Sequence, residues 1–284
     1  GGGLHHGGGA GSRERDQSGV RGREEQRVVI PLDEVTIVTV ALQNGRGLQR
    51  LESSLVPTLM SGARRLVWVQ PTPPIGLVHG MQSAFGGVAT SFALVLHEDM
   101  QVPMYDHTWL RRMLERMENP QVGAIWPCLT ASNAEDGRLG KFQCGQDWED
   151  LSIGHEGMLV RMAAWRQVGE FDVLYDTPSA DGLFNSFWDD VDFSLRLRIA
   201  GYTLLTANDV LLWHDGSATV RRDRGEWVNA FRAGLLRIYR KFGPDKLRLA
   251  TTYLETMTSE QRATWNSMVK DAEEADIANG VSHA

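Results

Sequence analysis

The chain has little cysteine, no long apolar run and no surplus of positive charge. Each absence removes a class of protein. Two cysteines, Cys128 and Cys144, are too few for a disulfide framework, zinc-finger spacing is missing, and the scarcity matches a reducing compartment. No stretch approaches the roughly 18 apolar residues of a membrane span. The longest runs, such as "TIVTVAL" and "FALVL", have the length of buried strands. A formal net charge of −7 argues against a general nucleic-acid binder. The first residues show neither the basic start nor the apolar core of a secretory signal, so a cytoplasmic setting is expected. No internal repeat is visible.

What is present suits a single large domain with an appendage: 284 residues, 42% hydrophobic and 23% charged. Residues 1–27 are glycine- and charge-rich and are expected to be a disordered leader, with His5 and His6 part of it. From "DEVTIVTVAL" onward the pattern alternates. A strand ending in "QNGRG" precedes a helical repeat closing on Gly62, then the strand "RRLVWVQ" stopped by "PTPP". A short helix within 76–90, a strand "SFALVLHEDM", a helix "YDHTWLRRMLERMENP" and a strand "VGAIWP" follow. This order predicts a Rossmann-like, doubly wound mixed α/β sheet with helices on both faces and a C-terminal helical appendage. Ligands of such sheets lie outside the carboxyl ends of the strands. That rule draws attention to Gln43, Asn44, Gln70 and the run His97, Glu98, Asp99.

The alternation loosens after residue 128 into a polar stretch reaching Asp150. "YTLLTANDVLLWHDGS" reads as two short strands, the second ending at His214. Residues 226–242 and 258–276 read as helices, and Trp227, Phe231, Leu235 and Tyr239 form a packing face on the first.

"FNSFWDDVDFSLRLRIAGY" crowds Asp189, Asp190 and Asp192 into the first turn of a predicted helix. Phe193, Leu197 and Ala200 carry its apolar spacing, and Gly201 stands where a terminating glycine belongs. Acids near a helix N-terminus are favoured by about 0.3–1 kcal/mol each. An Asp192–Arg196 pair adds a few tenths, on the order of 0.3 kcal/mol. Those terms account for one or two aspartates; a third adds repulsion. Two strand-end acidic clusters and a strand-end histidine, His214, together have the donors for Mg²⁺ or Mn²⁺, nitrogen favouring manganese. A carboxylate left over can act as a general base.

The ordered set "VTIVTVALQNGRGLQRLESSL", "ALVLHEDMQVP", "GMLVRMAAWRQVGEFD", "WDDVDFSLRLRIAGYTLL" and "VLLWHDGS" resembles the family 2 glycosyltransferases of GT-A fold, over most of residues 35–220. The resemblance implies an inverting, metal-assisted transfer from a nucleotide-sugar donor, UDP-linked by family habit. It implies Asp99 and His214 as metal ligands and Asp189–Asp190 as the catalytic pair, with Asp190 the base. Ala41, Gln43, Asn44, Gln70, Glu98 and Asp99 would line the donor, and Trp188, His155 and Glu156 the acceptor. The nucleotide-sugar half would span 28–128, the acceptor half 129–225, and a helical extension 226–284. The acceptor would be a glycan, protein or other hydroxyl-bearing molecule, and a homodimer is compatible with the last helices. Two departures stand out: His97 replaces the first acid of the family's Asp-x-Asp, and Gln70 stands where an acid usually reads the base.

Two rival readings remain open on the residues. A degenerate, non-catalytic sugar-binding or scaffold protein would share the fold. A sugar nucleotidyltransferase would need a glycine-rich loop with a following lysine after the first strand, and "QNGRG" lacks the lysine.

Overall fold

The computed structural model describes residues 29–41, 46–131, 148–150, 153–178, 184–215 and 224–250, with isolated helical positions between 263 and 274. The leader 1–27, the loop holding Gln43 and Asn44, Cys144, residues 221–223 and most of the helix expected at 258–276 lie outside the described residues.

Ten strands and six helices are described: β1 (Val35–Ala41), α1 (Arg46–Met60), β2 (Arg64–Val69), α2 (Leu77–Gly86), β3 (Phe92–Val95), β4 (Met100–Gln101), α3 (Trp109–Arg116) and β5 (Val122–Ala131). They continue as β6 (Trp148–Asp150), β7 (Leu159–Arg161), α4 (Met162–Val168), β8 (Asp176–Pro178), β9 (Phe184–Ser186), α5 (Asp189–Ile199), β10 (Thr203–His214) and α6 (Arg224–Ala250), the last broken by a kink at Gly243. The main sheet runs β2-β1-β3-β7-β5-β10-β4, with β6 also paired to β10; β8 and β9 form a separate ribbon. β2, β1, β3, β5 and β10 run parallel, while β7, β4 and β6 run against them. The expected mixed α/β sheet is therefore present.

Strand alternation sends successive side chains into two cores. Val35, Ile37, Phe92 and Leu94 pack with Leu51 and Leu55 of α1 and with Trp109 and Met113 of α3. Val38, Val40, Ala93 and Val95 face the other side, against Met81 and Phe85 of α2, Trp165 of α4, Phe193 and Leu197 of α5, and Leu235 and Ile238 of α6. Helices thus cover both faces, as a sheet buried on both sides requires.

The second half differs in two respects from the sequence reading. β10 is one strand of 12 residues rather than two short ones. A register shift against β5 between Ala207 and Leu211 absorbs the polar Asn208 and Asp209 as an irregularity, and Arg112 and Arg116 of α3 hold the Asp209 carboxylate. The stretch read as one strand, "SFALVLHEDM", divides into β3 and β4, with a tight turn between them closed by Met100 N–H donating to His97 O (3.1 Å).

α5 begins and ends where its sequence indicates. At its end Gly201 takes a positive φ of 89°, Gly201 N–H donates to Arg198 O and Tyr202 N–H to Leu197 O, the paired bonds of a glycine-terminated helix. Of the three aspartates at its start, Asp192 is the structural one. It is fully buried, and its carboxylate accepts from Arg196 Nε (2.7 Å), meets Lys241 Nζ of α6 (2.5 Å) and lies 3.4 Å from the Tyr175 hydroxyl. Arg196 also donates to the Val168 and Gly169 carbonyls at the end of α4. One carboxylate therefore ties α5 to α6 directly and to α4 through arginine. Asp192→Ala leaves two cations without their buried partner and is expected to destabilise the fold by roughly 3 kcal/mol or more. Urea unfolding measures this, and a loss below about 1 kcal/mol, the ceiling for a solvent-exposed pair, would show that solvent already screens the pair.

Candidate functional site

The site gathers at the carboxyl ends of β3 and β10, where an α/β sheet leaves a crevice. Backbone pairing brings the first two side chains together. After the 97–100 turn, β4 runs back along the end of β10 with Met100 opposite His214 and Gln101 opposite Trp213. Asp215 N–H donates to Asp99 O at 3.0 Å, extending that register. Asp99 Oδ1 and His214 Nε2 consequently stand 3.3 Å apart. α1 closes over the turn: a Cβ on Gly47 would lie 2.8 Å from the Glu98 carbonyl, and Arg50 pairs with Asp215 at 2.6 Å.

The segment 153–158 brings the next group. Ile153 N–H donates to the buried Ser194 hydroxyl of α5, and Trp126 Nε1 donates to Glu156 O. Gly157 has φ 82°, and its N–H donates to Val95 O at 2.9 Å. A side chain there would be strained, and its Cβ would sit 2.7 Å from the Pro127 ring. This turn sends β7 back between β3 and β5 and leaves His155 buried beside β3. His155 Nδ1 lies 3.2 Å from Asp189 Oδ2, and Nε2 lies 3.9 Å from Glu156 Oε1. The first approach is a charge contact without the alignment of a hydrogen bond: both oxygens of Asp189, which is 1% exposed, lack a hydrogen-bond partner among the described residues.

His97 joins the two halves. Its ring centroid is 4.8 Å from that of His155 and 5.9 Å from that of His214. Three imidazoles thus run in a row from Asp99 to Asp189, with the half-buried Asp190 alongside. Asp190 accepts from the Val191 N–H at 2.8 Å.

The charges in this row differ sharply. Burial, then the neighbouring His155, pushes the His97 pKa down to about 4, so it is neutral at pH 7. Burial also opposes charge on His155, but Asp189, Glu156 and Asp190 outweigh it and raise the value to about 10. Desolvation and then the Asp189 charge push Asp190 up to about 7, although His155 works the other way. For Asp99 burial raises the pKa and the hydrogen bond and charge of His214 lower it; the second wins, and its carboxyl sits below the usual range. His214 is raised correspondingly: burial disfavours its charge, and Asp99 more than restores it.

Trp188 enters as the residue before α5 with φ 74°, unusual for a bulky side chain. Its indole Nε1 donates to Phe231 O of α6 (3.1 Å), and its ring packs on the Phe231 ring at 5.0 Å. Gln70 is buried at the end of β2, and both ends of its amide are engaged within the 70–76 loop, with Gly76 O and Ile75 N–H. Ala41 is buried at the end of β1, paired with Val69. The structure therefore brings Asp99, His214, His97, His155, Glu156, Asp189 and Asp190 together, with Ala41 and Gln70 at neighbouring strand ends. In the sequence His97 was marked by its place at the end of an apolar run and by its departure from the family motif, but neither signal assigned it a role.

The donors present fit a divalent metal. One atom each from His97, Asp99 and His214 lie within 4.8 Å of one another, as do atoms from His97, His155 and Glu156. Carboxylate oxygen with imidazole nitrogen suits Mn²⁺ and related ions. The His97 Nε2 atom is shielded from solvent without a hydrogen-bond partner among the described residues, an arrangement that a bound group would relieve.

No protein-family model and no curated protein matches the chain. Among solved structures, a mannosyltransferase from Pyrobaculum calidifontis in complex with GDP-Man and Mn²⁺ superposes with a TM-score of 0.54 at 14% identity, over 90% of this chain and 83% of that one. Residues 1–349 of TarS from S. aureus in complex with UDP-GlcNAc give 0.52 at 12% identity, covering 84% and 80%. GalNAc-T7 with UDP, GalNAc and Mn²⁺ gives 0.50 at 10% identity, over 84% of this chain and 55% of that one. The chain therefore has the GT-A fold of glycosyltransferases. Among the described residues no helix is long and apolar enough to cross a membrane.

The Trp188 anchor is testable without touching a titratable group. A Cβ on Gly234 would lie 2.6 Å from Phe187 O and 2.8 Å from Trp188 Cδ1. Overpacking costs about 1–3 kcal/mol, and replacing a mid-helix glycine by alanine returns up to about 1. Gly234→Ala is expected to lose roughly 1 kcal/mol net in urea unfolding; a gain would show that α6 does not rest on this turn.

Proposed function

We propose that the protein is a metal-dependent, inverting glycosyltransferase that moves a sugar from a nucleoside-diphosphate donor, UDP-linked, to an acceptor hydroxyl. One observation carries the reading: two unlike charged centres, Asp99–His214 and Asp189–Asp190 with His155, meet at the carboxyl ends of parallel strands in a GT-A fold. The first has the donors to hold a divalent ion, which when bound supplies positive charge to a departing diphosphate. The second can manage a proton.

In this reading Asp99 and His214 hold the metal and orient the diphosphate. Asp190 takes the acceptor's hydroxyl proton on a carboxylate oxygen as that hydroxyl's oxygen bonds to the anomeric carbon. The bond from that carbon to the diphosphate oxygen breaks on the opposite face, and its electron pair leaves with the diphosphate, which inverts the centre. A base pKa of about 7 suits this task, because the group is deprotonated near neutrality yet still binds a proton well. Asp189, buried against His155, raises Asp190 by its charge. Trp188 offers an aromatic face to a sugar ring, with Glu156 on the same acceptor side. The donor would lie over the strand ends of β1, β2 and β3, with Ala41, Gln43, Asn44, Gln70 and Glu98 around it. A nucleoside diphosphate is the part common to the GDP-Man, UDP and UDP-GlcNAc of the similar structures, and uridine recurs in two of the three. A scaffold without chemistry gains nothing from a carboxylate buried as deeply as that of Asp189, because burying such a group costs stability.

Thermal unfolding in the presence of nucleoside diphosphates and nucleotide sugars, each with Mn²⁺, Mg²⁺ or EDTA, tests the donor. Stabilisation that needs both a metal and one nucleotide is expected, about 2.7 kcal/mol at a hundred times Kd. No response to any combination would remove the reading.

The base is tested by diphosphate release. Asp190→Asn is expected to lower turnover by roughly 10²–10⁴-fold while metal-dependent donor binding stays near wild type. Because the Asp190 pKa is raised, its basic form is lost early on acidification. Wild-type kcat should fall about tenfold per pH unit below about pH 7. A rate that stays flat through that range would remove Asp190 as the base.

A further inference from the structure

We infer that His97 is itself a metal ligand, completing with Asp99 and His214 a site of two imidazole nitrogens and one carboxylate oxygen that selects Mn²⁺ over Mg²⁺. This rests on the reading of Asp99 and His214 as the metal-holding pair and goes beyond it by naming the third ligand and the ion.

His97 belongs to both donor groups, with Asp99 and His214 or with His155 and Glu156. The geometry separates them. His155 presents Nδ1 to Asp189 at 3.2 Å and Nε2 toward Glu156 at 3.9 Å, so both of its ring nitrogens already face carboxylates. The His155–Glu156 pair is the more widely spread, with 3.9 Å between its nearest charged atoms, and His155 Nδ1 is turned to the buried Asp189 carboxylate. Asp99 and His214 suit a ligand pair better. Their nearest atoms are 3.3 Å apart. Neighbouring donors around a six-coordinate ion with bonds of about 2.1 Å stand about 3 Å apart. The His97 ring lies edge-to-face with that of His214, and its Nε2 is shielded and unpaired among the described residues.

Three protein donors leave about three positions of a six-coordinate ion open for diphosphate oxygens or water. The second nitrogen is what discriminates. Mg²⁺ prefers oxygen ligands and gives up water reluctantly, whereas imidazole binds the later divalent ions well. A carboxylate at position 97 would serve both ions; a histidine there favours manganese.

Pulsed electron paramagnetic resonance on the full chain loaded with Mn²⁺, with and without UDP, tests this directly. The wild type is expected to show two coupled ¹⁴N nuclei, both converted to ¹⁵N couplings when the protein carries ¹⁵N-histidine. This comparison needs no substitution and survives any variant that fails to fold. His97→Gln is expected to show one nitrogen and to bind Mn²⁺ at least about tenfold more weakly, since losing even an outer partner of a ligand typically costs roughly 10–100-fold. His97→Asp is expected to keep Mn²⁺ with one nitrogen and to let Mg²⁺ compete about tenfold more effectively. A single nitrogen in the wild type, or two remaining in folded His97→Gln, overturns the role of His97 and leaves the Asp99–His214 pair standing. A wild type that binds no Mn²⁺ under either condition overturns both.

Discussion

The pairing of β4 with the last residues of β10 is the contact on which the site depends. It is only two residue pairs long, yet it sets Asp99 beside His214 and, through the 97–100 turn, aims His97 between them and His155. β10 can accept it because the strand is long and held along its other edge by β5 in parallel register. A slip of one residue at β4 would turn Asp99 away, since side chains alternate along a strand. The bulge that absorbs Asn208 and Asp209 belongs to the same arrangement, because it sets the register in which β10 arrives at His214.

Around that pairing the chain places a neutral histidine between two charged clusters. His97 stands between two carboxylate–histidine pairs: Asp99 with His214 on one side, Asp189 with His155 on the other. Burial decides its neutrality, because a buried imidazole cannot repay the loss of solvation without an acid of its own. The same burial, with the charge of Asp189 added, keeps Asp190 partly protonated near neutral pH. A half-buried crevice thus holds two carboxylates in opposite electrostatic settings. The carboxyl of Asp99 is lowered beside His214, and that of Asp190 is raised beside Asp189.

The start of α5 is braced from behind. Asp192 reaches Lys241 and Arg196, and Trp188 is held by Phe231, while Gly234 lets α6 approach closely enough for both. Arg237 and Lys241 of α6 also hold Asp172, so α6 is joined to the body of the fold at several charged points besides its apolar face. The helix that reads as an extension in the sequence packs against the start of α5.

Much of this was legible in the residues alone, for local reasons. The placement of the first strands, the extent of α5, its glycine end and the Asp192–Arg196 pair depend on neighbours a few positions away, so their signals are written contiguously. The order of strands and helices, with the resemblance it carried, was enough for a GT-A fold. The partners of the polar side chains were not legible. That Asp189 meets His155, that Asp192 meets Lys241 and that His97 stands between two histidines follows from β7 folding back between β3 and β5 and from α6 docking on α5. The amide of Gln70 is likewise spent on its own loop, which no pattern of residue types announced. By itself the sequence determined which elements form and which chemical groups stand at their ends, because hydrogen-bond geometry and apolar period act over a few residues. Only the tertiary structure decided which of those groups touch and which are charged, because register, burial and electrostatic pairing depend on segments far apart in the chain.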